Sequence, residues 1–376
     1  MKVKLSDVFE LQMGKTPSRA NNSYWFNGNN SWVSIADLST CEKYVENTKE
    51  AITDIAVLES GIKSVPADTV IMSFKLSLGK TAITTESIYT NEAIIAFIPN
   101  GKYKISTDYF YHFCSNKDWN YGTNRAVMGA TLNKSTLNEI EIFLPDFELQ
   151  VEIAQKMDKV DKLIFLRKKQ LDKLDELVKS RFVEMFGNPL NNEKNWNMRE
   201  FGDICTVRQG LQISISKRLT QYEENCYEYI TVAYLHGTKE LEYIKNPKRT
   251  VICTKDDILM TRTGNTGMVV TDVEGVFHNN FFLIDFDRLR YNKRFLVEYL
   301  NLDYIQSEII RRAGTSTIPD LNHSDFYAIS IYEPPLELQN QFAAFVEQTD
   351  KSKLLVNQSL EKLETLKKAL MQKYFE

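Results

Sequence analysis

The strongest constraint on this sequence is that it repeats itself. When the 376-residue chain is aligned with itself at an offset of 189 residues, TLNKSTLNEIEIFLPDFELQ (131–150) falls on DLNHSDFYAISIYEPPLELQ (320–339) without a gap. The register continues to LDKLDELVKSRFVEMFG (171–187) and LEKLETLKKALMQKYFE (360–376). A gapless match of this length indicates a tandem copy of one module, a globular part followed by a charged and apolar stretch.

The repeated stretches carry apolar residues at alternating four- and three-residue steps. This heptad pattern predicts two long helices that pair as a coiled coil, each about 38 residues and about 57 Å long. Pro145 and Pro334-Pro335 precede the helices, and Gly187-Asn188-Pro189 ends the first one. The residues predicted to pair the helices are Ile153, Met157, Val160, Ile164, Leu171, Leu174 and Val178 in the first, and Phe342, Val346, Val356, Leu360, Leu363 and Leu370 in the second.

The two copies are expected to meet about a pseudo-two-fold axis with their helices antiparallel, which would separate two similar globular domains by a stiff spacer. The globular parts show short strands and a few helices without regular alternation, which favours the α+β class. Strands are predicted at 32–38, 227–235 and 326–333, and one helix around 293–312. The predicted organisation is a first globular domain at 1–144, a helix at 145–187, a second globular domain at 188–333 and a second helix at 334–376.

Composition excludes several classes of protein. No apolar run approaches 18 residues and MKVKLSDVFE lacks a signal-peptide core, so neither a membrane span nor secretion is predicted. The five scattered cysteines form no CxxC pair, which argues against a disulfide framework or a zinc site and fits the cytoplasm. The net charge of −4 does not indicate a strongly basic surface, although a local basic patch can still bind DNA.

Motifs for catalysis are missing from the sequence. Gly14-Lys15-Thr16 and Gly79-Lys80-Thr81 lack the glycine five residues upstream that a phosphate-binding loop requires, because Phe9 and Phe74 stand there. The four histidines are isolated, and no Asn-Pro-Pro-aromatic segment for adenine methylation is present. We therefore expect no catalytic residue, no metal and no cofactor.

Three polar, glycine-bearing loops recur in both globular parts. GKTPSRANNSYW (14–25) corresponds to GLQISISKR (210–218), FKLSLGK (74–80) to RTGNTG (262–267), and WNYGTNRAVMGAT (119–131) to IIRRAGTSTIPD (309–320). Arginine can bind guanine bidentately, asparagine or glutamine can bind adenine, and lysine, serine and threonine hold phosphates. Any single loop is polar for ordinary reasons, but three that recur favour nucleic-acid binding.

The chain resembles the specificity subunits of type I restriction-modification systems. IEIFLPDFELQVEIAQKMDKVDKLIFLRKKQLDKLDELVKSRFVEMFGNP and ISIYEPPLELQNQFAAFVEQTDKSKLLVNQSLEKLETLKKALMQKYFE carry the resemblance, which extends over essentially the whole chain. It implies two target recognition domains that bind the two halves of a split double-stranded DNA target. It further implies helices that set the spacing and dock two DNA adenine methyltransferase subunits, with restriction subunits added in the full complex, and no active site in this subunit.

Base or phosphate contacts are expected from basic and amide side chains of the loops. Arg311 and Arg312 could equally cap the end of a helix. The candidates are Arg19, Lys75, Lys80 and Arg125 in the first domain, and Arg208, Gln212, Arg262, Asn265, Arg311 and Arg312 in the second.

Two departures and two alternatives stay open. SFKLSLGK stands where the family usually has a stretch like TRTGNTG, so the geometry of that loop is uncertain. Thr349, Lys353 and Lys367 interrupt the second seam, which should weaken pairing or bind a partner. The alternatives are a free-standing restriction or modification enzyme component, and a coiled-coil scaffold that does not bind DNA.

Overall fold

The computed structural model describes residues 1–75, 77–119, 124–126, 129–314 and 319–375, without the side chains of 124–126 and 129–131. The chain divides into two compact units, one formed by 1–168 with 358–376 and the other by 169–357. Both units combine short helices with β-sheets, as the α+β prediction requires. Each unit contains the beginning of one long helix and the end of the other.

The two long helices span Phe147–Phe186 and Leu336–Phe375 and contain 40 residues each, slightly more than predicted. They begin directly after the predicted proline stops. Gly187 follows the first helix with a φ of 81°, a left-handed conformation that glycine adopts without strain. No helix in the described part of the chain has a stretch long and apolar enough to cross a bilayer.

The first unit is built on a five-stranded sheet that is antiparallel except for its last pair. Its strands, in spatial order, are Phe9–Met13, Ile94–Pro99, Val70–Ser73, Thr81–Thr84 and Tyr44–Val45. Smaller sheets join Glu50–Ile52, Asn30–Val33 and Tyr89–Thr90, Lys2–Lys4 with Glu141–Phe143, and Asn124–Ala126 with Gly129–Thr131. The short helices are Leu5–Val8, Asn22–Tyr24, Ile35–Thr40, Asp54–Ser60, Thr107–Asn116 and Lys134–Asn138.

The second unit repeats this plan with a four-stranded antiparallel sheet. Its strands, in spatial order, are Cys205–Gln209, Phe281–Phe286, Ile258–Thr261 and Val269–Val270. Smaller sheets join Tyr243–Lys245, Cys226–Ile230, Gly275–Phe277 and Ile252–Cys253, and Asn197–Glu200 with Ser330–Glu333. The short helices are Phe201–Ile204, Ile215–Lys217, Val232–Leu235, Arg249–Val251, Lys293–Leu300, Asp303–Ala313 and His323–Tyr327.

Three strand predictions were too long, and the reason is helix capping. The strand predicted at 32–38 ends at Val33, because the Ser34 hydroxyl accepts the Asp37 N–H at 3.2 Å and starts a helix. Thr231 does the same after Ile230, where its hydroxyl accepts the Tyr234 N–H at 3.1 Å. The strand predicted at 326–333 is confined to Ser330–Glu333 behind another capped helix. The helix predicted around 293–312 is two helices separated at Asn301 and Leu302.

A buried glutamine fixes the start of each long helix to its globular part. The Gln150 side chain accepts the Ser106 N–H at 2.9 Å and donates to the carbonyls of Lys104 and Pro145 at 3.2 and 2.9 Å. Gln339 repeats the arrangement. Its side chain accepts the Asn292 N–H at 2.9 Å and donates to the carbonyls of Arg290 and Pro334 at 3.0 and 2.8 Å. Both side chains are buried, so the glutamine of each Glu-Leu-Gln repeat is structural.

The core of each unit includes an aromatic residue from the end of a long helix. In the first unit, Phe375 lies 4.9 Å from Tyr109 between ring centroids. In the second, the corresponding Phe186 lies 4.9 Å from Phe295 and 5.5 Å from Phe342. Near its end the first helix buries residues 178, 182 and 186, whereas the heptad pattern continues through 181 and 185. The buried face changes because the helix end leaves the seam and enters a globular core.

Charged residues join the short helices to the long ones in each unit. In the first, buried His112 lies 2.9 Å from Asp158 and 3.7 Å from Asp161, and Lys43 also contacts Asp158 at 2.6 Å. Burial opposes ionisation of Asp158, but hydrogen bonds from His112 and Lys43 outweigh it and lower its pKa.

The corresponding contact between a short and a long helix in the second unit contains a carboxyl group whose pKa is raised and not lowered. Burial raises the pKa of Glu298, although Lys353 and Arg294 lie close enough to draw it down. Asp350 and Asp175 add to the raising effect. The folded unit therefore favours the protonated Glu298, and its stability falls as pH rises from 4.5 through the raised pKa.

The substitution Gln339→Ala should lower the free energy of unfolding by about 2–4 kcal/mol, because it leaves one N–H and two carbonyls in buried or partly buried surroundings without their partner. Gln341→Ala, at an exposed position on the same helix, is the control. Chemical denaturation of both variants measures the difference. Equal stability of the two variants would contradict the anchoring role.

The substitution Glu298→Gln should raise the free energy of unfolding at pH 8, since the amide fills the site without a buried charge. The gain should shrink as pH falls and vanish near pH 4, where the wild-type carboxyl is protonated in both states. Thermal unfolding at several pH values tests this, with exposed Glu347→Gln as the control for loss of one charge. A variant less stable than wild type at pH 8 would show that Lys353 and Arg294 hold an ionised Glu298.

Candidate nucleic-acid interface

Polar loops gather at one end of the central sheet in the first unit. The strands Phe9–Met13 and Val70–Ser73 end there, and Ile94–Pro99 begins there, because neighbouring strands are antiparallel. Backbone hydrogen bonds link the loops in sequence: Lys15 N–H to Thr90 O at 2.8 Å, Phe74 N–H to Ala93 O at 3.0 Å, and Leu132 N–H to Phe74 O at 3.1 Å. We name this edge, formed by residues 14–16, 74–75, 77–80, 90–93 and 132, the first rim.

The second unit forms an equivalent edge from residues 210–212, 262–267, 278–280 and 321, which we name the second rim. Its links are Leu211 N–H to Phe277 O at 2.8 Å, Arg262 N–H to Asn280 O at 2.7 Å, and Leu321 N–H to Arg262 O at 2.9 Å. The first two loop pairs that the duplication predicted are therefore brought together in both units, whereas residues 120–123, 127–128 and 315–318 of the third pair lie outside the described residues.

A glycine marks the point where the first loop of each rim crosses a neighbouring segment. A Cβ atom on Gly14 would lie 2.2 Å from the Thr90 carbonyl oxygen, and one on Gly210 would lie 2.3 Å from the carbonyl oxygens of Phe277 and His278. Any side chain at these positions would force the segments apart. The glycines of GKTPS and GLQIS are thus required by a close backbone approach.

The second loop of each rim is a short turn held by one hydroxyl group. The Thr261 hydroxyl donates to the Asn265 carbonyl at 2.5 Å and accepts the Met268 N–H at 2.9 Å. The Ser73 hydroxyl likewise donates to the Ser77 carbonyl and accepts the Lys80 N–H at 3.0 Å. The described residues of SFKLSLGK therefore make the same hydroxyl hydrogen bonds as those of TRTGNTG.

Candidate residues of the first unit differ in how they are held. Arg19 forms two hydrogen bonds with Glu50 and lies 3.7 Å over the Trp25 ring. The hydrogen bonds from Arg19 lower the pKa of Glu50. Lys75 is half-buried and Lys80 exposed, and no carboxylate of the described residues lies within ion-pairing distance of either. Arg125 lies in the strand Asn124–Ala126, but its side chain is outside the described residues.

Two candidates of the second unit flank Gly210. The Arg208 Nη1 donates to the Thr250 carbonyl at 3.1 Å, while its buried Nε has no partner among the described residues. The exposed Gln212 side chain accepts a hydrogen bond from the Asn279 amide at 3.0 Å. An amide pair at the rim offers both donors and acceptors to a ligand.

The remaining arginines of the second unit are bound to carboxylates. Arg262 contacts Asp320 through Nε at 3.0 Å and Nη2 at 2.8 Å. Arg311 and Arg312 both donate to Glu308, at distances of 2.6 to 2.8 Å. Hydrogen bonds from Arg311, and then from Arg312, lower the pKa of Glu308 to about 2 despite partial burial. Asn265 is exposed at the tip of its turn, with a φ of 26°.

The predicted helix-pairing residues are all at least partly buried. Ile153, Met157, Val160, Val178, Phe342, Val346 and Val356 are buried, and Ile164, Leu171, Leu174, Leu360, Leu363 and Leu370 are half-buried. The polar seam positions are also satisfied. Thr349 donates to the Phe345 carbonyl at 3.0 Å. Lys367 contacts Asp161 at 2.7 Å within the first unit, and Lys353 contacts Asp175 at 2.5 Å within the second.

A family model for the type I restriction modification DNA specificity domain matches the chain twice, over residues 1–176 and 193–365. The chain belongs to this family. Among curated relatives, the MjaIX specificity subunit of Methanocaldococcus jannaschii is 26% identical over 375 residues, covering 92% of this chain and 85% of the relative. The EcoprrI specificity subunit of Escherichia coli is 21% identical over 373 residues, covering 92% and 86%.

Solved structures of type I specificity proteins share the fold. The S subunit from M. genitalium aligns with a TM-score of 0.58 at 15% identity, covering all of this chain and 96% of that one. A chain from a study of complex assembly and conformational transition in the type I restriction-modification system aligns with a TM-score of 0.63 at 17% identity, covering 100% and 97%. Specificity subunits are non-catalytic, and this member of the family carries DNA specificity rather than an active site.

Sequence reasoning about this specificity chain missed the carboxylates that hold its candidate arginines. Glu50 and Asp320 lie far in sequence from Arg19 and Arg262, so no local spacing signals those pairs. Glu308 precedes Arg311 and Arg312 by three and four residues on one helix, a spacing that was a usable signal. Phe182 and Phe186 were also missed as core residues, although the match of Phe186 with Phe375 in the duplication was a usable signal. In the described part of the chain, no group of three or more histidine, cysteine, aspartate or glutamate side chains could hold a metal.

Proposed function

We propose that this chain is the DNA-reading subunit of a type I restriction-modification complex, in which each unit binds one half of a split target through its rim. The two occurrences of the rim, built by equivalent glycines and equivalent hydroxyl-held turns, are the observation that carries the proposal. Two similar but non-identical rims suit two different short sequences better than one continuous site.

The rims supply the chemical groups that DNA recognition requires. Lys75 and Lys80 are suited to phosphate oxygens, while the amides of Gln212 and Asn265 are suited to the edge of adenine. The arginines bound to carboxylates must either release their partner on binding or act by supporting a loop. Arg125 remains a candidate on the grounds of its sequence alone.

The long helices are proposed to set the distance between the two half-sites. Their seam residues pack inward, and the lysines that interrupt the seam are neutralised by aspartates of the facing helix within each unit. A helix of 40 residues extends about 60 Å. A spacer of this kind is stiff, so we expect a gap of constant length between the half-sites.

The outer faces of the helices are proposed to dock two adenine methyltransferase subunits, with restriction subunits joining the full complex. Leu163, Phe165 and Leu166 of the first unit are 43%, 50% and 46% exposed. In the second unit, Leu354 and Leu355 are 58% and 67% exposed. Large apolar side chains in neighbouring positions on a helix favour a protein partner over solvent.

Co-expression with a type I adenine methyltransferase from the same genome should produce a stable complex that methylates adenines in a two-part motif with a fixed gap. Long-read sequencing of host DNA measures the methylated positions, with the methyltransferase expressed alone as the control. A continuous motif, or failure of the methyltransferase to co-purify, would contradict the proposal.

Insertion of one heptad into each long helix, after Lys168 and after Asn357, should lengthen the gap and leave both half-sites unchanged. Seven residues preserve the seam and add about 10 Å, which corresponds to an increase of up to about 3 base pairs. The same methylation map measures the gap. Insertion of a heptad into the first helix alone, which misaligns the seam, serves as the control and should abolish methylation. An active double-insertion variant with an unchanged gap would show that the helices do not set the spacing.

A further inference from the structure

The equivalent turns of the two rims differ at the residue that directly follows the hydroxyl-bearing Ser73 or Thr261. Phe74 occupies this position in the first unit and Arg262 in the second, and both have the same backbone hydrogen-bonding pattern. Phe74 is buried at 1% exposure and packs in the main core of the first unit. Because the buried Phe74 side chain fixes the turn to the core of the first unit, the residue at this position supports the turn.

Arg262 achieves the equivalent support with a carboxylate. Its Nε and Nη2 atoms bind the two oxygens of Asp320, and only 19% of its side chain is exposed. Asp320 corresponds to Thr131 in the duplication, an uncharged residue, so the first unit cannot form this ion pair. The charged pair is therefore a feature of the second rim.

The ion pair lies within a set of contacts that connect the turn to the chain after residue 318. The Thr266 hydroxyl donates to the Pro319 carbonyl at 2.8 Å, and Leu321 N–H donates to the Arg262 carbonyl at 2.9 Å. On the other side, the Gln306 amide donates to the Gly267 carbonyl at 2.9 Å. The backbone of the turn is thus held from both sides.

Arg262 binds Asp320 through its Nε and Nη2 atoms, which form one of the edges that an arginine can offer bidentately to guanine. An arginine held bidentately by a carboxylate must lose two charge-assisted hydrogen bonds before it can use that edge on a base. Asn265, in contrast, is exposed at the tip, and among the described residues its side-chain amide donates only to the sulfur of Met268, at 3.3 Å.

We propose that Arg262 and Asp320 are a positioning pair of the second rim, which holds the turn so that the Asn265 amide reads one base of the second half-site. This assignment rests on the proposed function of the chain. Arg262 then acts through Asn265 and does not itself contact a base. In the first rim the corresponding tip residue is Ser77, so the two units read different bases from equivalent places.

Charge reversal tests the pair in the full chain co-expressed with its methyltransferase. Arg262→Asp and Asp320→Arg should each reduce methylation of the split target by about tenfold or more. The double variant, which restores the ion pair in reverse, should recover methylation of the same motif. Asn265→Ala should relax one base of the second half-site and leave the first unchanged. The control is Arg288→Asp, a reversal at the opposite end of the strand Phe281–Phe286, which should leave the motif unchanged.

The outcomes separate the two levels of inference. If wild-type complex methylates no split target, the proposed function fails. If wild type does so but the double variant stays as defective as Arg262→Asp while Asp320→Arg is active, Arg262 contacts a base directly and the positioning role is overturned. If the charge-reversal variants do not fold, the substitution Asp320→Asn tests the positioning role instead. It removes one charge at a 47% exposed position and should relax the same base as Asn265→Ala, and an unchanged motif would overturn the proposal.

Discussion

The structure depends on the packing of each long-helix end in a core that its own copy of the module does not supply. Phe186 belongs by sequence to the first copy but lies in the core of the second unit, and Phe375 belongs to the second copy but lies in the core of the first. Neither copy can bury its apolar surface alone. Each unit therefore depends on three features together. These are the aromatic contacts at the helix ends, the buried glutamines at the helix starts and the seam between the helices.

Much of the fold could be predicted because it follows from periodicity and repetition. The heptad steps predicted the long helices, the prolines marked where they start, and the offset of 189 residues paired the loops that form the two rims. Strand limits failed where one side chain decides them. Ser34 and Thr231 each start a helix inside an apolar run, and an apolar run alone does not distinguish a strand from a capped turn.

The candidate interface was less predictable, because residue type indicates what a side chain can bind but not what it already binds. Arg19, Arg262, Arg311 and Arg312 were nominated for their guanidinium groups, and each is held by a carboxylate distant in sequence or on a neighbouring helical turn. The lysines of the seam show the same limitation. They appeared to weaken the helix pair, yet Asp161 and Asp175 neutralise them from the facing helix.

The hydroxyl groups of Ser73 and Thr261 fix the shape of each turn without using the side chain at its tip. One oxygen both donates and accepts, and every partner it uses is a backbone atom. The residue at the tip therefore contributes its carbonyl to the scaffold and leaves its side chain exposed. Mutation can replace that side chain without dismantling the turn, so a lineage can acquire new sequence preferences one base at a time while the protein stays folded.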